Sequence, residues 1–308
     1  MTMIDTVEET PEQSPVAVPV AATVAAAPLP PDAPADEHTL FIRPASGWAA
    51  LDLREVWHFR DLLFTLAGRD LKLRYKQTAL GAIWVLIQPL AAAGISTVVF
   101  GQIAKLSSDG LPYFLFAFAG QLGWSLFSNT VGKSSGCLVG NAHLISKVYF
   151  PRFILPLSSL PSTLVDFAIA GAMMVCLLFA YHVMPGFGLL LLPFWMAIFF
   201  AMALGIGLVA SALTVDYRDV GYILPVFMQL LAAASPVSYG VSNIPKSILP
   251  FYNINPLTPV LQGFRWSLLN TAPPNWWNVA YATALAALLL FAGAFSFKRM
   301  ERRFADVV

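Results

Sequence analysis

Six long apolar stretches between residues 80 and 297 constrain this chain more than any other feature. They cover residues 80–104, 111–131, 161–183, 188–213, 220–239 and 277–297. An α-helix needs roughly 20 apolar residues to cross about 30 Å of hydrocarbon. Only 11% of the 308 residues are charged and 57% are hydrophobic, whereas a soluble domain carries roughly 25% charged residues. The sequence therefore predicts an all-α integral membrane protein with six transmembrane helices.

The lysines and arginines near the ends of these stretches predict the orientation. Cytoplasmic loops of membrane proteins carry an excess of Lys and Arg. One side of the predicted bundle holds Arg69, Lys72, Arg74, Lys76, Lys133, Lys147, Arg152, Arg218, Lys298, Arg299, Arg302 and Arg303. The other side holds Lys105, Lys246 and Arg265. Both termini are therefore predicted to be cytoplasmic.

Composition divides the chain into three parts. Residues 1–45 are rich in Ala and Pro and begin with acidic residues; this predicts a disordered cytoplasmic tail without a cleavable signal peptide. Residues 46–79 are predicted to form an amphipathic interfacial region, with a helix over 54–76 and polar residues at helical spacing. The basic face of that helix should lie at the lipid headgroups or against a partner while its apolar face lies in the interface; the alternative is a plain membrane anchor. Residues 80–308 are the predicted transmembrane domain.

Two connections are too apolar for ordinary loops. The segment 140–157, between spans two and three, contains Pro151 and Pro156, and it predicts a short helix on the cytoplasmic membrane surface. The segment 240–274 holds six prolines between apolar pieces that are too short to cross a bilayer. We expect these pieces to form short interfacial or re-entrant helices at the outer side.

Span two is dense in aromatic residues, and two interpretations stay open for them. They are ordinary core and interface residues, or they line a path on which ring faces pack against the C–H faces of sugars. The candidate lining residues are Tyr113, Phe116, Phe118, Trp124 and Phe127. Asp166 lies inside span three and needs a partner or water. It either pairs with a Lys or Arg of an adjacent loop or takes part in proton coupling.

Two short motifs suggest enzymes but lack the required context. Gly132-Lys133-Ser134 ends like a nucleotide-binding P-loop, but Phe127 stands where the first glycine belongs, and an apolar helix precedes it instead of a strand. Gly132-x-Ser134-x-Gly136 matches a hydrolase elbow, which also requires a strand before the serine. The four histidines show no metal-ligand spacing. We therefore expect no cofactor, metal or ATP site in this chain.

The order of short motifs resembles the ABC-2 type permeases that export polysaccharides, such as O-antigen, capsule and teichoic-acid exporters. The first motif covers residues 69–78, followed by Leu80-Gly81, Trp84 and Gln88-Pro89-Leu90. The later motifs are Lys147-Val148-Tyr149-Phe150-Pro151-Arg152, Asp216-Tyr217-Arg218-Asp219, Asn255-Pro256 and Gly263-Phe264-Arg265. The resemblance extends from about residue 48 to the C-terminus.

This resemblance implies a homodimer in the bacterial inner membrane that binds two copies of a separate ATPase subunit, which holds ATP and Mg. The implied substrate is a polyprenyl-linked or lipid-anchored glycan, and the other partners are membrane lipids and no nucleic acid. A coupling helix over 141–150 would contact the ATPase through Leu144, Ile145, Lys147, Tyr149, Phe150 and Arg152. The helix before span one would form a gate that holds the lipid diphosphate through Arg69, Lys72, Arg74 and Lys76, because cationic groups make charge-assisted bonds to phosphate. Residues 244–270 would form the periplasmic gate.

Two alternatives remain at this point. The first is an ABC-2 permease for a small molecule or drug. The second is an integral-membrane enzyme, which would require a buried constellation of His, Asp and Ser.

Overall fold

The apolar stretches fold into long helices in a computed structural model, which describes residues 57–76, 83–148 and 150–301. The predicted tail lies outside the described residues, as do Tyr149 and the side chain of Arg74. All regular elements in the described ranges are helical. The α-helices are α1 (Arg60–Lys76), α2 (Ile83–Ser96), α3 (Tyr113–Ser135), α4 (Cys137–Gly140), α5 (Ala142–Ile145), α6 (Ile154–Ala180), α7 (Leu192–Asp216), α8 (Val220–Ala233), α9 (Leu249–Ile254), α10 (Leu257–Leu269) and α11 (Trp276–Met300).

Four helical segments are long and apolar enough to cross a membrane. A π-helical segment, Thr97–Ile103, extends α2, and a 3₁₀ helix, Phe187–Leu191, leads directly into α7. The four segments are Ile83–Ile103, Ile154–Ala180, Phe187–Asp216 and Trp276–Met300, with 21, 27, 30 and 25 residues. At 1.5 Å per residue, the shortest of them spans about 30 Å. These segments correspond to predicted spans one, three, four and six.

The other two predicted spans differ from that pattern. Four helical segments of the described residues are long and apolar enough to cross a membrane, and the count of six is not confirmed. α3 has 23 residues, but Gln121, Ser125 and Asn129 lower its apolar character. α8 has only 14 residues, or about 21 Å of helix. It ends at Ala233 and not at residue 239, and Pro236 disfavours a helical conformation at the residue before it.

α3 lies at the centre of the fold. It contacts α2, α6, α7, α8 and α10, and its buried side chains form the largest part of the main hydrophobic core. α7 and α11 cross closely at Gly205 and Gly293, where a Cβ on either residue would overlap the backbone of the other helix. Small residues at such crossings let membrane helices approach each other.

A second hydrophobic cluster joins α1 to the main bundle. Leu66 and Ala67 of α1 are buried, and α1 packs against α6. Phe150, Ile154 and Phe297 belong to the same cluster. The helix predicted over 54–76 is therefore docked on the protein along one side, while Phe64 and Leu73 remain exposed on another.

The surface helix predicted over 141–150 is much shorter in the structure. α5 ends at Ile145, and a turn follows through Val148. Pro151 has no backbone N–H and disfavours helix at the residue before it, which explains why no helix continues to residue 150.

On the opposite side, α9 and α10 are short, with 6 and 13 residues. α10 packs against α3 and α7 and is buried along most of its length. It ends at Asn270, whose left-handed φ of 53° is a common C-terminal cap for Asn. Short helices are therefore confirmed at this side.

Candidate translocation and coupling sites

A cavity of about 340 Å³ lies between α2, α3 and α6. Its polar side chains come from all three helices, with Gln88 on α2, Asn129 on α3 and Asp166 on α6. Trp84 and Trp124 add two indole rings to the wall. The residues of α3 that line it recur at helical spacing and so occupy one face of that helix. The chain therefore contains a cavity of ligand size that is both polar and aromatic.

A buried ion pair closes one side of this chamber. Lys133 Nζ lies 2.8 Å from Asp166 Oδ2 and donates a second hydrogen bond to Ser162 Oγ at 3.1 Å. The Asp166 side chain is only 4% exposed. The prediction that Asp166 pairs with a nearby cation is confirmed, and the pair joins α3 to α6.

The aromatic side chains predicted to line a path have separate positions. Phe116, Phe118 and Phe127 are at most 1% exposed and pack in the core of the protomer, so they present no surface to a passing substrate. Tyr113 donates a hydrogen bond to the Ser238 carbonyl at 2.9 Å. Trp124 alone of the five lines the cavity. The lining prediction is thus at odds with the packing of the three phenylalanines, because α3 is covered by its neighbours on that face.

Phe116 instead supports a buried arginine. The Arg265 guanidinium carbon lies 4.2 Å from the centroid of the Phe116 ring. Arg265 donates hydrogen bonds to the carbonyls of Pro236 at 2.8 Å and Tyr239 at 3.2 Å, and a third to Val237. Burial lowers the pKa of Arg265 to about 10, so the side chain remains charged at neutral pH. It fixes the irregular chain after α8 to α10.

A basic groove runs along the exposed side of α1. It is lined by Phe64, Thr65, Gly68, Arg69, Lys72, Leu73 and Lys76. Arg69 is already engaged, because it donates to Asp70 Oδ1 at 2.9 Å and to Asn141 Oδ1 at 2.5 Å. Lys72 and Lys76 are exposed. Of the four predicted phosphate contacts, these two present free surface, Arg69 connects α1 to the α4–α5 segment, and the Arg74 side chain lies outside the described residues.

The predicted coupling residues divide into anchors and surface groups. Leu144 and Ile145 are half-buried against the second cluster, and Phe150 is buried in it. Arg152 Nη1 donates to the Glu301 carbonyl at 2.7 Å. Lys147 is exposed, next to exposed Ser146 and Val148. In this conformation Phe150 is therefore an internal anchor and not a contact for a partner, and Tyr149 lies outside the described residues.

The chain matches known transport proteins along most of its length. Residues 61–269 match the family model described as ABC-2 type transporter. The chain is 26% identical over 260 residues to the O-antigen export system permease protein RfbA of Myxococcus xanthus, covering 83% of this chain and 98% of that protein. It is 21% identical over 234 residues to the polysialic acid transport protein KpsM of Escherichia coli, covering 76% and 91%. It is 21% identical over 255 residues to the capsule polysaccharide export inner-membrane protein CtrC of Neisseria meningitidis serogroup B, covering 80% and 92%.

This chain belongs to the ABC-2 type transporter family. Membership confirms the resemblance inferred from the short motifs, and it makes the chain a multi-pass membrane permease and not an enzyme. The three histidines among the described residues are exposed. In the same ranges, no group of three His, Cys, Asp or Glu side chains is placed to hold a metal ion.

The sequence interpretation missed the two most informative polar features of this ABC-2 permease. It gave Arg265 no partner, although Arg in an apolar, Pro-rich segment signals a buried cation that needs acceptors. The sequence also showed no sign that the polar residues of α3 share one site with Trp84 and Asp166, because these residues are distant in the sequence. Their common cavity depends on how α2, α3 and α6 pack.

Proposed function

We propose that this chain is the membrane-spanning permease of an ABC transporter that exports lipid-linked polysaccharide, O-antigen or capsule-like, across the bacterial inner membrane. The observation that carries the proposal is the match to nearly the whole length of permeases named for O-antigen and capsule export. A separate ATPase subunit supplies the energy. A permease for a small molecule is the second candidate, because the family model by itself leaves the substrate open.

The proposed topology has six membrane crossings with both termini in the cytoplasm. α3 and α8 supply the two crossings beyond the four long apolar segments. α3 tolerates polar residues because neighbouring helices surround it. α8 is too short to cross alone, and the irregular residues after it, held by Arg265, complete the crossing inside the protein, where backbone groups find partners.

Two copies are proposed to associate through the uncovered face of α8. Met228 is its one buried residue, whereas Tyr222, Val226 and Leu230 are 79%, 57% and 65% exposed. Gln229 is exposed as well, and Pro225 provides no N–H for the carbonyl of Gly221. An amide side chain and a free carbonyl are costly against lipid tails. A second protomer or a water-filled conduit is the better environment for this face.

The basic groove on α1 is the proposed site for the diphosphate of the lipid carrier. Lys72 and Lys76 supply cations, and Phe64 and Leu73 supply apolar surface for the start of the lipid chain. Replacing Lys72 and Lys76 by Gln is expected to reduce export while membrane insertion stays normal. Equal loss of export and insertion would count against phosphate binding.

The turn after α5 is the proposed contact with the ATPase. Lys147 and Val148 are exposed there, while Leu144 and Ile145 hold the turn to the bundle. A force applied to this turn reaches α6 and α11 through the second cluster, which contains residues of both helices.

The decisive experiment is reconstitution of this chain with its ATPase in lipid vesicles. We expect ATP-dependent movement of polyprenyl-linked polysaccharide across the vesicle membrane, and none with a hydrolysis-deficient ATPase. Transport of small hydrophobic compounds without transport of the polysaccharide would favour the second candidate and reject the first.

A further inference from the structure

The polar residues of α3 differ in their hydrogen bonding. Gln121 lines the cavity and donates to Ser238 Oγ at 3.3 Å. Thr130 and Ser134 face the core and donate to carbonyls of their own helix, Leu126 and Thr130, both at 2.7 Å. Ser125, Ser128 and Asn129 face the cavity, and their side chains make no hydrogen bond to the part of the chain that the structure describes. The Gln88 amide across the cavity likewise lacks a partner within those ranges.

Four polar side chains around one cavity require a polar occupant. Ser125, Ser128 and Asn129 are half-buried and Gln88 is exposed, so these groups remain open to an occupant of the cavity. An amide or hydroxyl that finds no hydrogen-bond partner carries a large free-energy penalty inside a bilayer. The helices here belong to membrane-spanning segments or contact them. The cavity is therefore filled by water or by a ligand rich in hydrogen-bonding groups.

The charge of the cavity wall narrows the class of ligand. Asp166 is the one charged residue that lines the cavity among the described residues, and Lys133 pairs with it from the side. A phosphate would meet a carboxylate and no directly lining cation. A neutral polyol would donate hydroxyl protons to the carboxylate and the amide oxygens and accept from the amide N–H groups. Trp84 and Trp124 offer rings for the C–H face of a sugar.

We propose that this cavity binds a neutral sugar unit, one in each protomer, at a site distinct from the basic groove on α1. The assignment of that sugar to the exported glycan rests on the proposed function. The two sites bind chemically different parts of the substrate. The groove offers cations for the diphosphate, and the cavity offers amides, hydroxyls and indoles for the saccharide.

The first test is protection of an introduced cysteine in the permease–ATPase complex, held in lipid nanodiscs free of sugar-based detergent. Ser128→Cys is placed in a Cys137→Ala, Cys176→Ala background, and its reaction with a water-soluble methanethiosulfonate is followed by mass spectrometry. We expect maltotriose to slow labelling at least about threefold, as occupancy of two-thirds of the sites requires, and inorganic phosphate to have no effect. Ser247→Cys, at an exposed site in the segment between α8 and α9, is the matched control and should react equally in all conditions.

Three results would contradict the proposed sugar site: an unreactive cysteine at position 128, a labelling rate that maltotriose leaves unchanged, or equal protection by phosphate.

The second test is export of the native polysaccharide. Asn129→Ala should lower the export rate about fivefold, the value of one hydrogen bond, whereas Thr130→Val, with a hydroxyl already bonded to its own helix, should not. Equal rates for the two variants contradict the site.

The two proposals fail in distinguishable ways. If the wild-type complex moves no polysaccharide, the proposed function fails, and the protection experiment still reports on sugar binding. If polysaccharide is exported while maltotriose gives no protection, the function stands and the cavity assignment is rejected.

Discussion

Arg265 and Gly120 form a matched pair in which one residue makes room for the other. The guanidinium carries hydrogen bonds to three carbonyls of the chain after α8. It reaches them across α3 at Gly120, where a Cβ would overlap both Arg265 Nη2 and the Val237 carbonyl. A side chain at position 120 would therefore displace the cation from its acceptors and leave buried carbonyls unpaired.

Gly120→Ala is expected to destabilise the protein by about 1–3 kcal/mol, the usual cost of overpacking a core. Gly132→Ala is the control on the same helix, because no atom lies within 4 Å of a Cβ at that position. Ala in place of an open helical Gly should be neutral or stabilise by up to about 1 kcal/mol. The measurement is the thermal unfolding midpoint in nanodiscs, and equal midpoints for the two variants would show that Gly120 has no special role.

At the scale of helices, the Lys133–Asp166 pair fixes α3 against α6. Its carboxylate is almost completely buried, whereas the Arg60–Asp61 pair at the start of α1 has side chains that are 53% and 93% exposed. Removing one partner of a buried pair leaves an uncompensated charge, and removing one partner of an exposed pair leaves a hydrated one.

Lys133→Met is accordingly expected to lower the free energy of unfolding by about 3–5 kcal/mol. Arg60→Met should change it by no more than about 1 kcal/mol, because it leaves a hydrated Asp61. The double variant Lys133→Met, Asp166→Leu should recover much of the loss, since it removes the buried charge. The free energies of unfolding of these variants are compared by chemical denaturation, followed by the far-UV circular dichroism of the helices. A small effect of Lys133→Met would show that other groups stabilise the Asp166 carboxylate sufficiently.

The coupling turn makes a prediction about energy transfer rather than stability. Lys147→Glu should reduce export while ATP hydrolysis and assembly with the ATPase continue, because we propose that this exposed side chain contacts the ATPase and because it contributes little to folding. Lys246→Glu, an equal charge change at an exposed site in the segment between α8 and α9, is the control. Polysaccharide exported per ATP hydrolysed is the measured ratio, and a normal ratio for Lys147→Glu would remove this turn from the coupling route.

The sequence was informative where the cause of structure is local. Length and apolar content predict α2, α6, α7 and α11, and the position of Asp166 in an apolar segment predicts that it needs a partner or water. The sequence was less informative for α3, because the neighbours of a helix determine which of its faces is buried. Phe116, Phe118 and Phe127 face the core, and Ser128 and Asn129 face the cavity. The anchoring role of Phe150 was missed for the same reason, since the second cluster assembles from α1, α6, α7 and α11.

At the scale of the whole molecule, the uncovered face of α8 is the feature that the packing within the chain leaves unexplained. Tyr222, Val226 and Leu230 recur every four residues and form one exposed stripe. The exposed side chains of α11, such as Leu288 and Phe291, have no accompanying amide or helix-interrupting proline. The first stripe fits a protein interface, and the second fits lipid tails.

Cysteine crosslinking in native membranes distinguishes the two stripes. In a Cys137→Ala, Cys176→Ala background, single cysteines at positions 222, 226 and 230 should give a crosslinked dimer under mild oxidation in at least one case. A twofold axis brings identical residues together near the axis, so the yield should peak at one position along the stripe. Cysteines at 288 and 291 should give no dimer, because lipid separates those faces. Dimers from α11 and none from α8 would place the interface on the other side of the bundle and leave Gln229 and the Gly221 carbonyl to face a conduit.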